Sequence, residues 1–171
     1  MQLSEAISLI QKGIVPLSSS PTWADLGAGN GLFSEALHSI LPPGSIIHAV
    51  DLHKQPNLER HPSIIFHEAD FAKDKLSIPP LDGILMANSL HYVKEQPACI
   101  KQLKTYLRND SGVFILIEYD TNSRNQWVPF PISFARAQSI FGDAGFSKIE
   151  KIGERQSMYR KDSMYAALIS P

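Results

Sequence analysis

The sequence predicts an α/β domain built on a mostly parallel sheet. Short apolar runs alternate with segments whose apolar residues recur at helical spacing. The run "VFILIEY" is apolar almost throughout, as expected of a strand covered on both faces. Three glycines within five positions follow the first run and open the first long helix.

Each element follows from local signals. "MQLSEAISLI" reads as a short amphipathic helix, and residues 1–20 form an N-terminal helical segment. The first strand is Thr22 to Leu26. After the glycines, Phe33, Ala36, Leu37, Ile40 and Leu41 form an apolar stripe that stops at Pro42-Pro43-Gly44. "SIIHAVDL" is a second strand ending near Asp51, "SIIFHEADF" a third ending near Asp70, and "DGILMAN" a fourth ending at Asn88. A helix is expected from about Pro97 to Arg108, with Ile100, Leu103 and Leu107 on one face. "NDSG" turns into the fifth strand, and residues 120–131, "DTNSRNQWVPFP", form a polar, proline-stiffened loop. The next helix, from about Ile132 to Ala144, turns Phe134, Ala137, Phe141 and Ala144 inward, with Gly145 as its C-terminal cap. "FSKIEKIG" and "SMYAALIS" follow without room for a crossover helix, so they pair as an antiparallel hairpin.

The 171 residues fit one domain, 1–171, large enough to bury a core. No apolar run approaches a membrane span, and the N-terminus lacks a basic-then-apolar signal pattern. A single cysteine, Cys99, excludes an intrachain disulfide and fits a reducing, cytoplasmic setting. The net charge of -1, with basic residues scattered, leaves no footprint for nucleic acid. These features point to a small ligand. His38, His48, His53, His61 and His67 show no metal-ligand spacing, so no metal is expected.

Gly27, Gly29 and Gly31 permit positive φ and let a ligand touch bare backbone. The dinucleotide fingerprint wants its third glycine three residues after the second, but position 32 is Leu and the third glycine stands at 31. No Gly-Lys-Ser/Thr follows, so a Walker-type phosphate loop fails as well. An acidic residue, Asp25, lies two places before the first glycine.

Asp25-Leu-Gly-Ala-Gly-Asn-Gly31 resembles motif I of class I S-adenosylmethionine-dependent methyltransferases. The resemblance continues through Asp51, Asp70-Phe71, "DGILMANSLHYV", "LRNDSGVFILIEYD" and the closing strand pair, over about residues 22–169. It implies a Rossmann-like seven-stranded sheet, mostly parallel with an antiparallel last strand and helices on both faces. The implied cofactor is S-adenosyl-L-methionine, with S-adenosyl-L-homocysteine as product. Its implied binding residues are Asp25, Gly27, Ala28, Gly29, Gly31, Asp51, Leu52, Asp70, Phe71, Asn88 and Ser89.

The residue chemistry fits these roles. A carboxylate at Asp51 can accept from both ribose hydroxyls, although read alone it would suit the ribose of NAD equally. Asp70 can accept from the adenine amino group while Phe71 lies against the ring. Taken in isolation, Asp70 caps the next turn and Phe71 joins the core as readily. By resemblance Asp25 positions the methionine end, and Asn88 lies near it unless its amide only holds the strand-to-loop turn.

Methyl transfer from a sulfonium is a direct displacement, to which alignment of donor and acceptor contributes most. A base is needed only if the acceptor must lose a proton. The candidates are His91, with Tyr92 and Asp120 as weaker ones; the competing reading of His91 is a hydrogen-bonded histidine shaping the pocket wall. In the long loop, Tyr119, Trp127 and Phe130 can wall an acceptor, with Asn122, Arg124 and Asn125 as polar contacts. Arg155 and Arg160 are further candidates for an anionic group, set against ordinary solvated arginines. With little chain before the first strand, the expected site is shallow, closed by the first helix or completed by a second subunit in a homodimer or partner complex.

The leading expectation is therefore a small-molecule methyltransferase. A catalytically silent cofactor-binding sensor or partner subunit is the alternative from another class. An RNA methyltransferase or an NAD-dependent oxidoreductase fits the charge and the glycine spacing less well.

Overall fold

The computed structural model describes residues 1–14, 18–53, 61–156 and 163–171. In chain order they form α1 (Leu3–Ile10), β1 (Thr22–Leu26), α2 (Leu32–Ile40), β2 (Ile46–Asp51), β3 (Ile64–Glu68), β4 (Gly83–Ala87) and α3 (Gln96–Lys104). β5 (Val113–Tyr119), α4 (Phe134–Asp143), β6 (Lys148–Gln156) and β7 (Ser163–Ser170) complete the order. One seven-stranded sheet results, ordered β3-β2-β1-β4-β5-β7-β6. β1 to β5 pair in parallel, whereas β7 runs antiparallel to both β5 and β6. The closing hairpin is as expected, and its second strand is the one inserted beside β5.

Side-chain alternation splits the core between the two faces of the sheet. Trp23, Ile47, Ala49, Leu85, Ile115 and Ile117 face α1 and α2, packing with Leu9, Ile10, Ala36 and Leu37. Ala24, Leu26, Val50, Ile84, Met86, Phe114 and Leu116 face α3 and α4, packing with Ile100, Leu103, Ala137 and Phe141. Both faces of the central strands are thus buried, which is why "VFILIEY" carries no regular polar alternation.

The ends of α3 and β3 fall short of expectation for identifiable reasons. α3 stops at Lys104 rather than near Arg108. The chain there turns toward β4, with Leu81 N–H donating to Tyr106 O and Arg108 N–H to Leu81 O, and these bonds displace further helical ones. β3 stops at Glu68, because Asp70 N–H donates to the Asp74 carboxylate and begins a turn. α1, expected as a possible closure over the site, packs instead on α2 and β6. Arg155 of β6 donates to Glu5 of α1 at 2.8 and 3.1 Å. Arg155 is thereby a brace between elements, and Arg160 lies outside the described residues.

The Gly at the start of β4 has a packing cause. Trp23 of β1 is 1% exposed, and a Cβ at Gly83 would lie 2.5 Å from its ring. A rigid, fully buried indole cannot move aside. Gly83→Ala is therefore expected to lose about 1–3 kcal/mol of stability through overpacking. Urea unfolding checks this, and a neutral result would show that the ring has room to shift.

Candidate functional site

At the carboxyl ends of β1, β2 and β4 the structure holds a cavity of about 970 Å³. It is lined by Gly27, Gly29, Asp51, Leu52, His53, Asp70, Phe71, Ala72 and Lys73 on one side. Ala87, Asn88, Ser89, Tyr92, Val93, Lys94 and Glu95 line the other. Strand order reverses between β1 and β4, so the chains leaving them diverge and open a crevice.

The glycine turn is fixed by its neighbours. Gly27, Gly29 and Gly31 all have positive φ, at 78°, 52° and 84°. At Gly27 a Cβ would collide with Ser89, whose hydroxyl donates to Leu26 O at 2.6 Å. At Gly29 a Cβ would meet nothing within 4 Å, leaving the turn bare toward the crevice. Gly27 and Ala28 N–H donate to Val50 O, tying the turn to β2.

Asp51 occupies the end of β2. One carboxylate oxygen accepts from Gly29 N–H at 2.8 Å and the other from His53 N–H at 3.0 Å. Each oxygen retains a further acceptor lone pair. Asp70 accepts from Ala72 N–H and from Lys73 Nζ, the turn-capping arrangement, and still lines the cavity. The Lys73 hydrogen bond outweighs the effect of burial and, with Ala72 N–H, holds the Asp70 carboxyl below its ordinary value.

Asn88 is the strained member. Its φ of 53° is the left-handed conformation, in which asparagine is tolerated. Its side-chain Oδ1 is buried without a hydrogen-bond partner among the described residues. Asn88 also lines the cavity, while this oxygen is shielded from solvent.

Asp25, Ala28 and Gly31 are not among the lining residues. Asp25 is 1% exposed beneath the glycine turn, accepting from Ser34 Oγ at 2.7 Å, with its other oxygen unpartnered. Burial pushes its carboxyl from 3.8 up to about 7, against the Ser34 hydrogen bond and with the Asp51 charge adding to the rise. Gly31 caps α2, and Ala28 is buried.

Of the expected catalytic residues, only Tyr92 lines the cavity. His91 is 2% exposed and is held by Glu118, whose two oxygens meet its Nδ1 at 2.6 Å and its backbone N–H at 3.1 Å. Its carbonyl accepts from Phe130 N–H, so it anchors the loop that follows β5. Asp120 also lies outside the cavity lining. It accepts from Phe134 N–H at the start of α4 and from Lys151 Nζ. Burial raises its pKa, but these two bonds outweigh it and hold the group below its ordinary value.

The expected acceptor wall is also revised. Asn122, Arg124 and Phe130 come together around a separate depression of about 280 Å³ with Lys94, Gln96 and Arg136. Asn125 instead accepts from Trp127 and Val128 N–H and forms a turn. Trp127 is 66% exposed, and neither it nor Tyr119 lines the two cavities. Sequence reasoning missed Glu118, Lys94 and Arg136. Glu118 had a signal, because a carboxylate inside a doubly covered strand requires a buried partner. Among the described residues no three metal-ligating side chains gather. His48 and His67 pair through their rings at 2.8 Å, and burial lowers both pKa values.

A methyltransferase domain family profile matches residues 3–168. The chain belongs to this methyltransferase family. The fold is the class I Rossmann-like methyltransferase sheet, and the methyl donor of this enzyme is S-adenosylmethionine. The chain is similar in structure to Burkholderia thailandensis 1,6-didemethyltoxoflavin-N1-methyltransferase, solved with 1,6-didemethyltoxoflavin and S-adenosylhomocysteine. The TM-score is 0.73 at 15% identity, covering 98% of this chain and 76% of that one. A SAM-dependent methyltransferase from Aquifex aeolicus gives a TM-score of 0.70 at 17% identity, covering 99% of each chain. A Haloferax volcanii chain solved in complex with the Trm112 methyltransferase activator gives 0.69 at 14% identity, covering 98% of this methyltransferase and 91% of that chain. No curated protein sequence matches. No helix among the described residues is long and apolar enough to cross a membrane.

The Asp25 environment carries a pH signature in the ligand-free methyltransferase. With its carboxyl at about 7 when folded and near 3.8 when unfolded, the folded state holds the extra proton between those values. This contribution to stability is complete below about pH 3.8 and is lost as pH rises to about 7. Asp25→Asn removes the titration. The stability of the variant relative to wild type should therefore rise with pH over that window, by up to about 4 kcal/mol. Urea unfolding across pH 4–8 measures it, and a flat difference would contradict the buried, unpaired carboxyl.

Proposed function

We propose that this methyltransferase binds S-adenosylmethionine in the 970 Å³ cavity and transfers its methyl group to a small-molecule acceptor entering beside Tyr92. The observation that carries the assignment is the Asp51 carboxylate, fixed by Gly29 and His53 N–H at the edge of the cavity that Asn88 also lines. Asp51 offers matched acceptors to a ribose diol. Leu52 and Phe71 flank the adenine, with Asp70 accepting from its amino group. Gly27 and Gly29 admit the amino-acid tail alongside bare backbone.

When bound, the cofactor supplies an activated methyl on a sulfonium. The chain's own contribution is alignment. Asp51 holds the ribose of the donor, the Ser89–Leu26 hydrogen bond keeps the β4 turn against the glycine turn, and Tyr92 orients the acceptor with its phenol. His91 and Glu118 hold the acceptor-side loop in place behind Tyr92. The small-molecule reading is supported by the concave site and the dispersed charge; a cytoplasmic setting fits the single cysteine, Cys99, which is buried.

Asp51→Ala is expected to weaken S-adenosylhomocysteine binding by about 1.5–3 kcal/mol, the range for hydrogen bonds to a charged group. Calorimetry measures it, and unchanged affinity would remove Asp51 from the cofactor site. Turnover of the wild type to S-adenosylhomocysteine against a metabolite panel separates an enzyme from a silent binding subunit.

A further inference from the structure

The smaller depression beside the cofactor cavity shares Lys94 with it. Its lining includes Lys94, Arg124 and Arg136 and contains no carboxylate. Elsewhere among the described residues, Arg108 and Arg155 are each paired with an acid, Asp82 and Glu5. Arg124, Arg136 and Lys94 form no ion pair among the described residues. Three cations without an acidic partner among the described residues thus surround one concavity.

The two guanidinium groups are nonetheless held in place. Arg124 Nε donates to Pro129 O at 2.9 Å, and its guanidinium lies 5.5 Å from the centre of the Phe130 ring. Arg136 Nε donates at 3.0 Å to Gln96 Oε1, and Gln96, fully buried, donates in turn to Phe130 O at 2.8 Å. With each Nε anchored to the protein, the terminal N–H groups of both arginines remain available as donors. Such a fork matches a carboxylate or phosphate, and fixing it in advance lowers the ordering cost of binding. Arg136 also lies in the first turn of α4, where the helix dipole disfavours a cation, so helix stability does not explain it.

We propose that this depression seats an anionic group, a carboxylate or a phosphate, carried by the methyl acceptor, whose reacting end reaches past Lys94 into the main cavity. This rests on the reading that the acceptor enters beside Tyr92. It narrows the substrate class to small acids or phosphate esters. Asn122, on the same rim, supplies a further side-chain contact to the anion.

The test is a nuclear magnetic resonance titration of labelled wild-type protein holding S-adenosylhomocysteine, at constant ionic strength. The probes are inorganic phosphate, phenyl phosphate, benzoate and the neutral control benzamide, with chloride as the background anion. Saturable shifts at the Arg124 and Arg136 Nε–H signals are expected with phenyl phosphate or benzoate, and the responding anion identifies the headgroup. With that probe the shifts should extend to Tyr92 and Val93. The Arg124→Gln/Arg136→Gln variant should bind it at least about tenfold more weakly while keeping its affinity for S-adenosylhomocysteine.

Shifts no larger than those with chloride or benzamide, or shifts at Tyr92 and Val93 that saturate equally in the double variant, would overturn the proposal. So would shifts confined to the arginines with phenyl phosphate no tighter than inorganic phosphate, which would mark an anion site without an acceptor. Loss of S-adenosylhomocysteine binding by the wild type would instead defeat the cofactor assignment, a failure read separately by calorimetry.

Discussion

The reversal of strand order between β1 and β4 is the constraint on which the molecule depends. From β1 the chain passes through α2 to β2 on one face, and from β4 through α3 to β5 on the other. Each crossover carries its loop away from the other, so the carboxyl ends of adjacent strands open a crevice instead of closing it. Asp51 spans part of that opening, because its bond to Gly29 N–H ties the end of β2 to the turn after β1. The cavity follows from topology, and the side chains at its edge decide what it holds.

Around the crevice the chain keeps groups that an ordinary core would avoid. Asn88 is left-handed with an unpartnered oxygen, Asp25 is buried with one oxygen unpartnered, and Glu118 is fully buried in a strand. Each opposes folding locally and persists because the surrounding sheet is packed on both faces. The three differ in role. Glu118 is satisfied by His91 and positions a loop, Asp25 ties the end of β1 to α2 through Ser34, and Asn88 lines the cavity itself.

The acceptor side is organised by anchoring more than by aromatic walls. Phe130 is gripped through its backbone by His91 and Gln96, while Asp120 ties the loop's beginning to the start of α4. These bonds hold residues 120–131 as a formed rim without α1 covering it. They also bring Arg136 of α4 beside Arg124 of the loop, a juxtaposition that neither segment announces alone.

Much of the cofactor side was legible in the sequence, since each of its residues follows a strand end and strand ends are marked by local signals. The glycine spacing excluded a pyrophosphate site, and the position of Asp51, one strand-helix-strand repeat later, placed a carboxylate at the same edge. The strand order followed from the resemblance and from the chain's lack of room between its last two strands. What only the tertiary structure decided is which way side chains point and what lies across from them. Asp25 and His91 have the residue types expected of active groups, yet one turns beneath the loop and the other behind the wall. Their partners, Ser34 and Glu118, lie nine and twenty-seven residues away. Lys94 and Arg136 carry no motif and gather with Arg124 through the packing of α4 against α3. Local pattern fixes where the backbone turns, because those forces act between near neighbours. Burial and pairing depend on contacts across the sheet, which arise only when the chain has closed on itself.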